Sequence, residues 1–124
     1  MMRKLFITKI LAVALLVASF TTDSFALSRI RFASGRSSAT VVGTLRAGAS
    51  TKYVLRASEY QTMTVVVRSG NDDIRFDIVD KHGRFEYYYD GYARIETDAN
   101  GDHWITLKNQ GRGATRYSMT VTVR

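Results

Sequence analysis

The residues of this chain that could perform catalysis are few, and their spacing matches no common catalytic arrangement. The 124 residues include no Cys, which excludes a thiol nucleophile, and no Ser lies in a Gly-x-Ser-x-Gly elbow. The two histidines, His82 and His103, lack the His-Glu-x-x-His spacing of a metal site, and His82 precedes Gly83 in a predicted turn. The sequence therefore predicts a protein that is not an enzyme.

Two acidic stretches contain the kind of residues that bind cations. Residues 98–102 faintly resemble a calcium loop, but Gly101 comes too early and Asn109 stands where the EF-hand requires Glu. A tight turn at Asn100-Gly101 is the favoured interpretation. The second stretch, residues 71–80, alternates along a strand, so its carboxylates fall on different faces. No metal and no cofactor are predicted.

A run of tyrosines is the first candidate for a binding surface. Tyr87–Tyr89 place rings on both faces of a strand, and Tyr92 and Arg94 follow. Exposed tyrosines beside arginine are typical of protein-binding surfaces, so Tyr88, Tyr92 and Arg94 are predicted partner contacts. The alternative is that the outer two tyrosines of the run cover the core while Tyr88 caps a sheet edge.

The elements that position these residues read as strands. Apolar and polar residues alternate with period two in four segments, and turn signals rich in Gly, Asn, Asp and Ser separate them. We predict a single all-β domain, a small antiparallel β-sandwich of about eight strands. Because Pro is absent, Lys and Arg are expected to protect the sheet edges. The predicted inward residues include Tyr53, Leu55, Ala57, Met63, Val65, Val67, Ile74, Phe76, Ile78, Tyr117, Met119, Val121 and Val123.

The first 26 residues have the pattern of a secretory signal peptide. Basic residues at the start precede an uncharged run, residues 10–20, and Ser24 and Ala26 form an Ala-x-Ala-like cleavage site. The run is shorter than the roughly 20 residues of a spanning helix, although an uncleaved anchor is the alternative. The predicted organisation is a signal peptide over residues 1–26 and a sandwich domain over residues 27–124. A periplasmic or secreted location and no membrane span after cleavage follow from it.

Charge narrows the choice of partners. Three of the 18 Lys and Arg residues and one of the 11 acidic residues lie in the first 26, which leaves +5 on residues 27–124. These charges are scattered, as on the solvated faces of strands, and no nucleic-acid partner is expected. A small barrel that binds polyanions is a further alternative. Oligomeric state is left open.

Three segments carry a resemblance to a known family. The segment 31–45, Arg-Phe-Ala-Ser-Gly-Arg-Ser-Ser-Ala-Thr-Val-Val-Gly-Thr-Leu, resembles the opening of the periplasmic inhibitors of g-type and i-type lysozyme. The resemblance continues through residues 53–65, where Tyr60 replaces a family Gly, and through residues 117–123. The scaffold also resembles the wider pre-peptidase C-terminal-like β-sandwich class. In the opening segment, Gly35 is predicted to form a turn, Gly43 a bulge or kink, and Ser37 and Ser38 a strand entry.

The resemblance implies inhibition by occlusion, in which loops from one end of the sandwich enter a lysozyme cleft. Glycosidase clefts contain carboxylates, and Arg is a suitable partner for them. The candidate loop runs from Asn109 to Arg116 and contributes Arg112 and Arg116. The predicted function is thus inhibition of a g-type or i-type lysozyme. The alternative is a binding module for glycan or cell-envelope components.

Overall fold

The computed structural model describes residues 27–88 and 90–124, which form nine strands and no helix. The predicted signal peptide lies outside the described residues. In the described part, no helix is long and apolar enough to cross a membrane. The strands are β1 (Leu27–Arg29), β2 (Ser38–Leu45), β3 (Ser50–Ala57), β4 (Thr62–Ser69), β5 (Ile74–Asp80), β6 (Phe85–Tyr88), β7 (Tyr92–Glu96), β8 (Gly101–Asn109) and β9 (Thr115–Val123).

Two sheets face each other, which confirms the predicted sandwich. The first sheet has the order β1-β3-β8-β5-β6, and the second has the order β2-β9-β4-β7. All pairs are antiparallel except β1 with β3, which is parallel. The parallel pair departs from the expected antiparallel arrangement because β1 joins the first sheet beside β3 and the chain then crosses to the second sheet as β2.

The core lies between the sheets and follows the alternation read from the sequence. Leu55 is 0% exposed and Phe76 is 1% exposed, and all the inward residues predicted above are buried. One face of each of these strands is buried, and most of the polar residues lie on the other face, although Val54 on that face of β3 is buried as well. The strand phase predicted from the sequence is therefore confirmed along β3, β4, β5 and β9.

Gly43 corrects one prediction, because it forms no bulge. It pairs with Tyr117 in the regular ladder between β2 and β9. A Cβ at Gly43 would lie 2.6 Å from the Tyr117 Oη and 2.8 Å from its Cζ, so the ring occupies the space that a side chain would need. Gly43 is thus required for close packing. Gly35, with φ of 75°, lies in the predicted turn.

Tyr88 does not cap a sheet edge, as one interpretation of the sequence had it. Its ring stacks on Phe76 with centroids 5.2 Å apart and an angle of 24° between planes. Tyr88 is therefore in the inward phase of β6, packed against the core. The side chain of Tyr87, and Tyr89 as a whole, lie outside the described residues.

The strand directions gather the loops into two groups. Loops 46–49, 70–73 and 110–114 lie together with residues 90–91 at one end of the sandwich, hereafter the loop end. Segments 30–37, 58–61, 81–84 and 97–100 lie at the opposite end. The candidate loop from Asn109 to Arg116 thus belongs to the loop end.

Candidate functional site

Asn109, the last residue of β8, holds the loop end together. Its side chain is 0% exposed, and its Nδ2 donates to the carbonyl oxygens of Leu45 at 3.0 Å and Gly113 at 2.8 Å. Its Oδ1 accepts from the Gly111 amide at 2.9 Å. Its backbone exchanges hydrogen bonds with loop 46–49, from the Gly48 amide and to the Ala49 carbonyl. One buried amide thus fixes the β8–β9 loop from inside.

The β8–β9 loop also rests on the β4–β5 loop. The Gln110 amide donates to the Asp73 carbonyl at 2.9 Å. A Cβ at Gly111 would lie 2.6 Å from Asp73 Oδ2 and 2.9 Å from Asn71 Nδ2, so a larger residue there would displace these two side chains. Asn71 Oδ1 in turn accepts from the Asp73 amide at 3.0 Å. The two loops therefore form one packed surface.

Arg112 lies on this surface, in the middle of the β8–β9 loop, and is exposed. Arg116 is exposed on the outer face of β9, diagonally across from Arg68 on β4, whose own partner in the ladder is Ser118. Arg46 is exposed in the β2–β3 loop. Within the described residues, none of these four guanidinium groups forms an ion pair. They are available to an external anion.

Acidic side chains border the four arginines. Asp72 and Asp73 are exposed in the β4–β5 loop, and Asp90 is exposed beside β7. Asp72 has φ of 57°, and its amide donates to the Ser69 Oγ at 3.1 Å, which is a local turn. The loop end therefore presents positive groups along β9 and the β8–β9 loop, and negative groups along the β4–β5 and β6–β7 loops.

The other predicted contact residues lie on the outer face of the second sheet. Tyr92 is half-exposed on β7 opposite Val66, and Arg94 follows on the same face opposite Thr64. Arg94 and Arg124 flank a groove lined by Thr62, Thr64 and Thr122. Tyr88 lies apart, since it packs against the core of the first sheet. The structure thus brings Arg112 and Arg116 to the loop end and separates Tyr88 from them.

The polar residues of the opposite end have structural roles. Asp80 Oδ1 accepts from the amides of His82 at 2.9 Å and Arg84 at 3.0 Å, which makes the predicted turn at His82. His103 is buried, and its Nδ1 lies 3.1 Å from the Gly101 carbonyl. Among the described residues, no cluster of three or more His, Asp or Glu side chains could hold a metal ion.

One ion pair ties β1 to the rest of the first sheet. The guanidinium of Arg29 donates to both carboxylate oxygens of Asp102, at 3.1 Å and 2.9 Å. This bidentate hydrogen bonding lowers the pKa of Asp102 below its ordinary value and raises the pKa of Arg29. The pair fastens the short edge strand, far from the loop end.

Asn109 is the functional-site residue that sequence reasoning did not single out. The alternation His103, Ile105, Leu107, Asn109 places it on the inward face, where β8 ends. A polar side chain at an inward position is nearly always hydrogen-bonded. That pattern could have identified Asn109 as an anchor, although not its partners in two other loops.

Comparisons with known proteins identify solved structures that have a similar fold. No family model matches the chain, and no curated protein matches it in sequence. Among solved structures, it is similar to PliG of Aeromonas hydrophila, a periplasmic lysozyme inhibitor of g-type lysozyme. The TM-score is 0.72 and the identity 22%, over 81% of this chain and 97% of that one.

Two further solved structures are similar to this chain. A mutant of PliG from Escherichia coli, also a periplasmic inhibitor of g-type lysozyme, has a TM-score of 0.57 and 16% identity, over 79% of this chain and 97% of that one. The pre-peptidase C-terminal domain of a Bacillus anthracis collagenase has a TM-score of 0.65 and 13% identity, over 78% of this chain and 95% of that one. The chain therefore has the β-sandwich fold that the PliG lysozyme inhibitors share with a pre-peptidase C-terminal domain.

Proposed function

We propose that this protein is an exported inhibitor that blocks the active-site cleft of a g-type or i-type lysozyme with its loop end. The observation that carries the proposal is the presentation of Arg112 on a loop anchored from within by Asn109. An anchored loop loses little conformational freedom on binding, so the entropic cost of ordering the loop takes little from the binding free energy of the contact. The shared sandwich fold supports the same conclusion.

The chemistry of the contact follows from the target. A glycosidase cleft holds two carboxyl groups beside the scissile bond. A guanidinium that enters the cleft forms a charge-assisted, bidentate hydrogen bond with a carboxylate and excludes the substrate. Arg112 is the proposed inserted side chain, and Arg116, with Arg68 beside it, is proposed to contact acidic groups at the rim.

Overall charge favours one kind of lysozyme. Residues 27–124 carry a net charge of +5, which repels a strongly basic enzyme at long range and slows association. We therefore propose that the target is a less basic lysozyme. The negative groups at the loop end, Asp72, Asp73 and Asp90, are placed to meet basic residues beside its cleft.

The direct test is inhibition of cell-wall lysis, followed as turbidity, by g-type and i-type lysozymes. Arg112→Ala is expected to weaken inhibition by about 30- to 1000-fold, the loss that corresponds to truncation of a binding hot spot. Arg116→Ala is expected to weaken it less. Arg36→Ala is the matched control, because Arg36 is exposed in a turn at the opposite end.

The outcomes separate the parts of the proposal. If the wild-type protein inhibits neither enzyme at micromolar concentration, the inhibitor function is wrong. If it inhibits but Arg112→Ala and Arg116→Ala are as effective as Arg36→Ala, inhibition occurs through another surface. The outer face near Tyr92 would then be the next candidate.

A binding module for glycan is the second candidate, and the outer face of the second sheet favours it. Cross-strand hydroxyl pairs, Thr40 with Thr120 at 2.9 Å and Ser38 with Thr122 at 3.1 Å, lie on the same face as Tyr92. Such a face offers hydroxyl groups and an aromatic ring to a sugar chain. Sedimentation of the protein with purified peptidoglycan, in the absence of lysozyme, would favour this candidate, and Tyr92→Ala should reduce that binding.

We also propose that residues 1–26 are removed on export and that the sandwich domain begins at Leu27. The support is the sequence pattern, with Ser24 and Ala26 at the cleavage site. Mass spectrometry of the periplasmic fraction is expected to find Leu27 as the first residue. A full-length product in the inner membrane would contradict it.

A further inference from the structure

The four edge strands of the sandwich are not protected equally. β1 includes Arg29 and β7 includes Arg94 and Glu96, whereas β6 contains no Lys or Arg. Shortness and charge are the features that keep sheet edges from pairing with other chains. Within the part of the chain that the structure describes, β1 and β7 therefore follow the expectation that Lys and Arg protect the edges, and β6 does not.

β2 is the longest edge strand in the described residues, and it also lacks the Lys and Arg that were expected to protect the edges. It is eight residues long and pairs with β9 on one side only. No charged residue lies between Arg36 and Arg46. Val42, in its middle, is 69% exposed. The edge of β2 is therefore an uncharged strip on a positively charged protein. Another positively charged molecule can approach this strip with less repulsion than elsewhere.

The backbone groups that β2 offers can be assigned. The Val123 amide donates to the Ser37 carbonyl at 2.8 Å, so this pair is of the hydrogen-bonded kind. Hydrogen-bonded and non-hydrogen-bonded pairs alternate in an antiparallel ladder. Odd-numbered residues of β2 therefore bond to β9, and even-numbered residues direct their N–H and C=O groups to the free edge. These even-numbered residues are Ser38, Thr40, Val42 and Thr44.

We propose that β2 is a dimerisation edge that pairs in antiparallel orientation with β2 of a second copy of this chain, around a two-fold axis at Val42. The outward residues around that position, Thr40, Val42 and Thr44, read the same in both directions. Val42 then opposes Val42 of the second copy, and Thr40 opposes Thr44. All three pairs present edge-directed N–H and C=O groups, so each pair exchanges two backbone hydrogen bonds.

Charge disfavours one neighbouring register. The neighbouring two-fold register, centred on Val41, would place Arg46 opposite Arg36 of the second copy, which opposes like charges. The register centred on Val42 places Arg46 opposite Ser38 instead. Threonine–threonine and valine–valine pairs across strands are favourable. The dimer joins the two second sheets into one of eight strands, and its two loop ends face in opposite directions.

The dimer is independent of the proposed inhibition, because Arg112 stays exposed in each copy. A single strand pair buries less than the roughly 1,200–2,000 Å² of a stable interface, so we expect a weak dimer. Sedimentation velocity of the purified protein from about 1 to 500 µM is expected to show monomer converting to dimer. A monomer throughout this range overturns the inference and leaves the edge open to a different partner.

A charged residue in the middle of β2 tests whether this edge forms the dimer. Val42→Lys sets two ammonium groups against each other and is expected to be monomeric over the whole range. Val66→Lys is its matched control, with the same change on the same face of β4, an interior strand, and it should still dimerise. Thermal melts establish that both are folded. A dimer retained by Val42→Lys overturns the inference.

Val42→Cys tests the register, because the chain has no other Cys. Residues directly opposed in a hydrogen-bonded pair have Cα atoms about 5.5 Å apart, within the range that a disulfide spans. Mild oxidation should therefore link two copies of this variant. Thr44→Cys, whose opposite residue is Thr40, should remain unlinked. Equal linking of both variants overturns the register.

Discussion

The hydroxyl groups of Tyr53 and Tyr117 form a buried hydrogen bond, 2.5 Å between oxygens, that joins the two sheets across the core. Tyr53 belongs to β3 of the first sheet and Tyr117 to β9 of the second. Both side chains are buried, and the Tyr117 ring lies over Gly43. Each hydroxyl is therefore the partner that allows the other to be buried.

Removing one of these hydroxyls should cost more than removing both. Tyr53→Phe or Tyr117→Phe leaves the remaining buried hydroxyl unpaired, which is expected to lower the free energy of unfolding by about 1–3 kcal/mol. The double variant should lose less than the sum of the two single variants. Urea denaturation of the four proteins measures this coupling. Additive losses would show that the two hydroxyls do not act as a pair.

Stability should fall at alkaline pH because of Tyr117. Burial, followed by the hydrogen bond that the Tyr117 hydroxyl forms with the Tyr53 hydroxyl, raises the pKa of Tyr117 above its ordinary value of about 10. The unfolded chain then loses this proton more readily than the folded protein, so stability is present below pH of about 10 and decreases above it. Urea midpoints between pH 8 and about pH 11 should decline less steeply in Tyr117→Phe. Parallel curves would contradict the assignment.

Asn109→Ala should loosen the loop end. The carbonyls of Leu45 and Gly113 lose their donor, and we expect a loss of about 2–4 kcal/mol in the free energy of unfolding. Backbone amides of loops 46–49 and 110–114 should exchange hydrogen faster than in the wild type. Asn100→Ala is the matched control, since Asn100 is exposed and its Oδ1 accepts from the Glu59 amide. Its cost should stay below about 1 kcal/mol.

Tyr60→Gly should stabilise the protein. Tyr60 has φ of 65°, a left-handed conformation that costs a side-chain-bearing residue about 1–2 kcal/mol. Its ring is 76% exposed, so little packing is lost. Glycine makes the unfolded chain more flexible, which offsets part of this gain. The free energy of unfolding is therefore expected to rise by about 0.5–1 kcal/mol, measured by thermal or urea denaturation. Tyr60→Ala keeps a Cβ and should show no such gain. A destabilised Tyr60→Gly would contradict the strain.

The positive φ of Tyr60 agrees with the resemblance to lysozyme inhibitors that the sequence suggests. In the resemblance drawn from the sequence, the inhibitors have Gly where this chain has Tyr60, and Tyr60 has a positive φ, which glycine adopts without steric cost. The backbone hydrogen bond from the Tyr60 amide to the Thr97 carbonyl, 2.7 Å, is what holds the turn in this conformation.

The sequence alone determined the β class, the strand phase and most of the core, because period-two alternation directly records which face of each strand is buried. It could not decide which strands are neighbours. That β2 is an edge, that Tyr117 covers Gly43, and that Asn109 reaches loops 46–49 and 110–114 together depend on pairings between residues distant in the chain. Only the tertiary structure decides such pairings, since each depends on the packing of the whole sandwich.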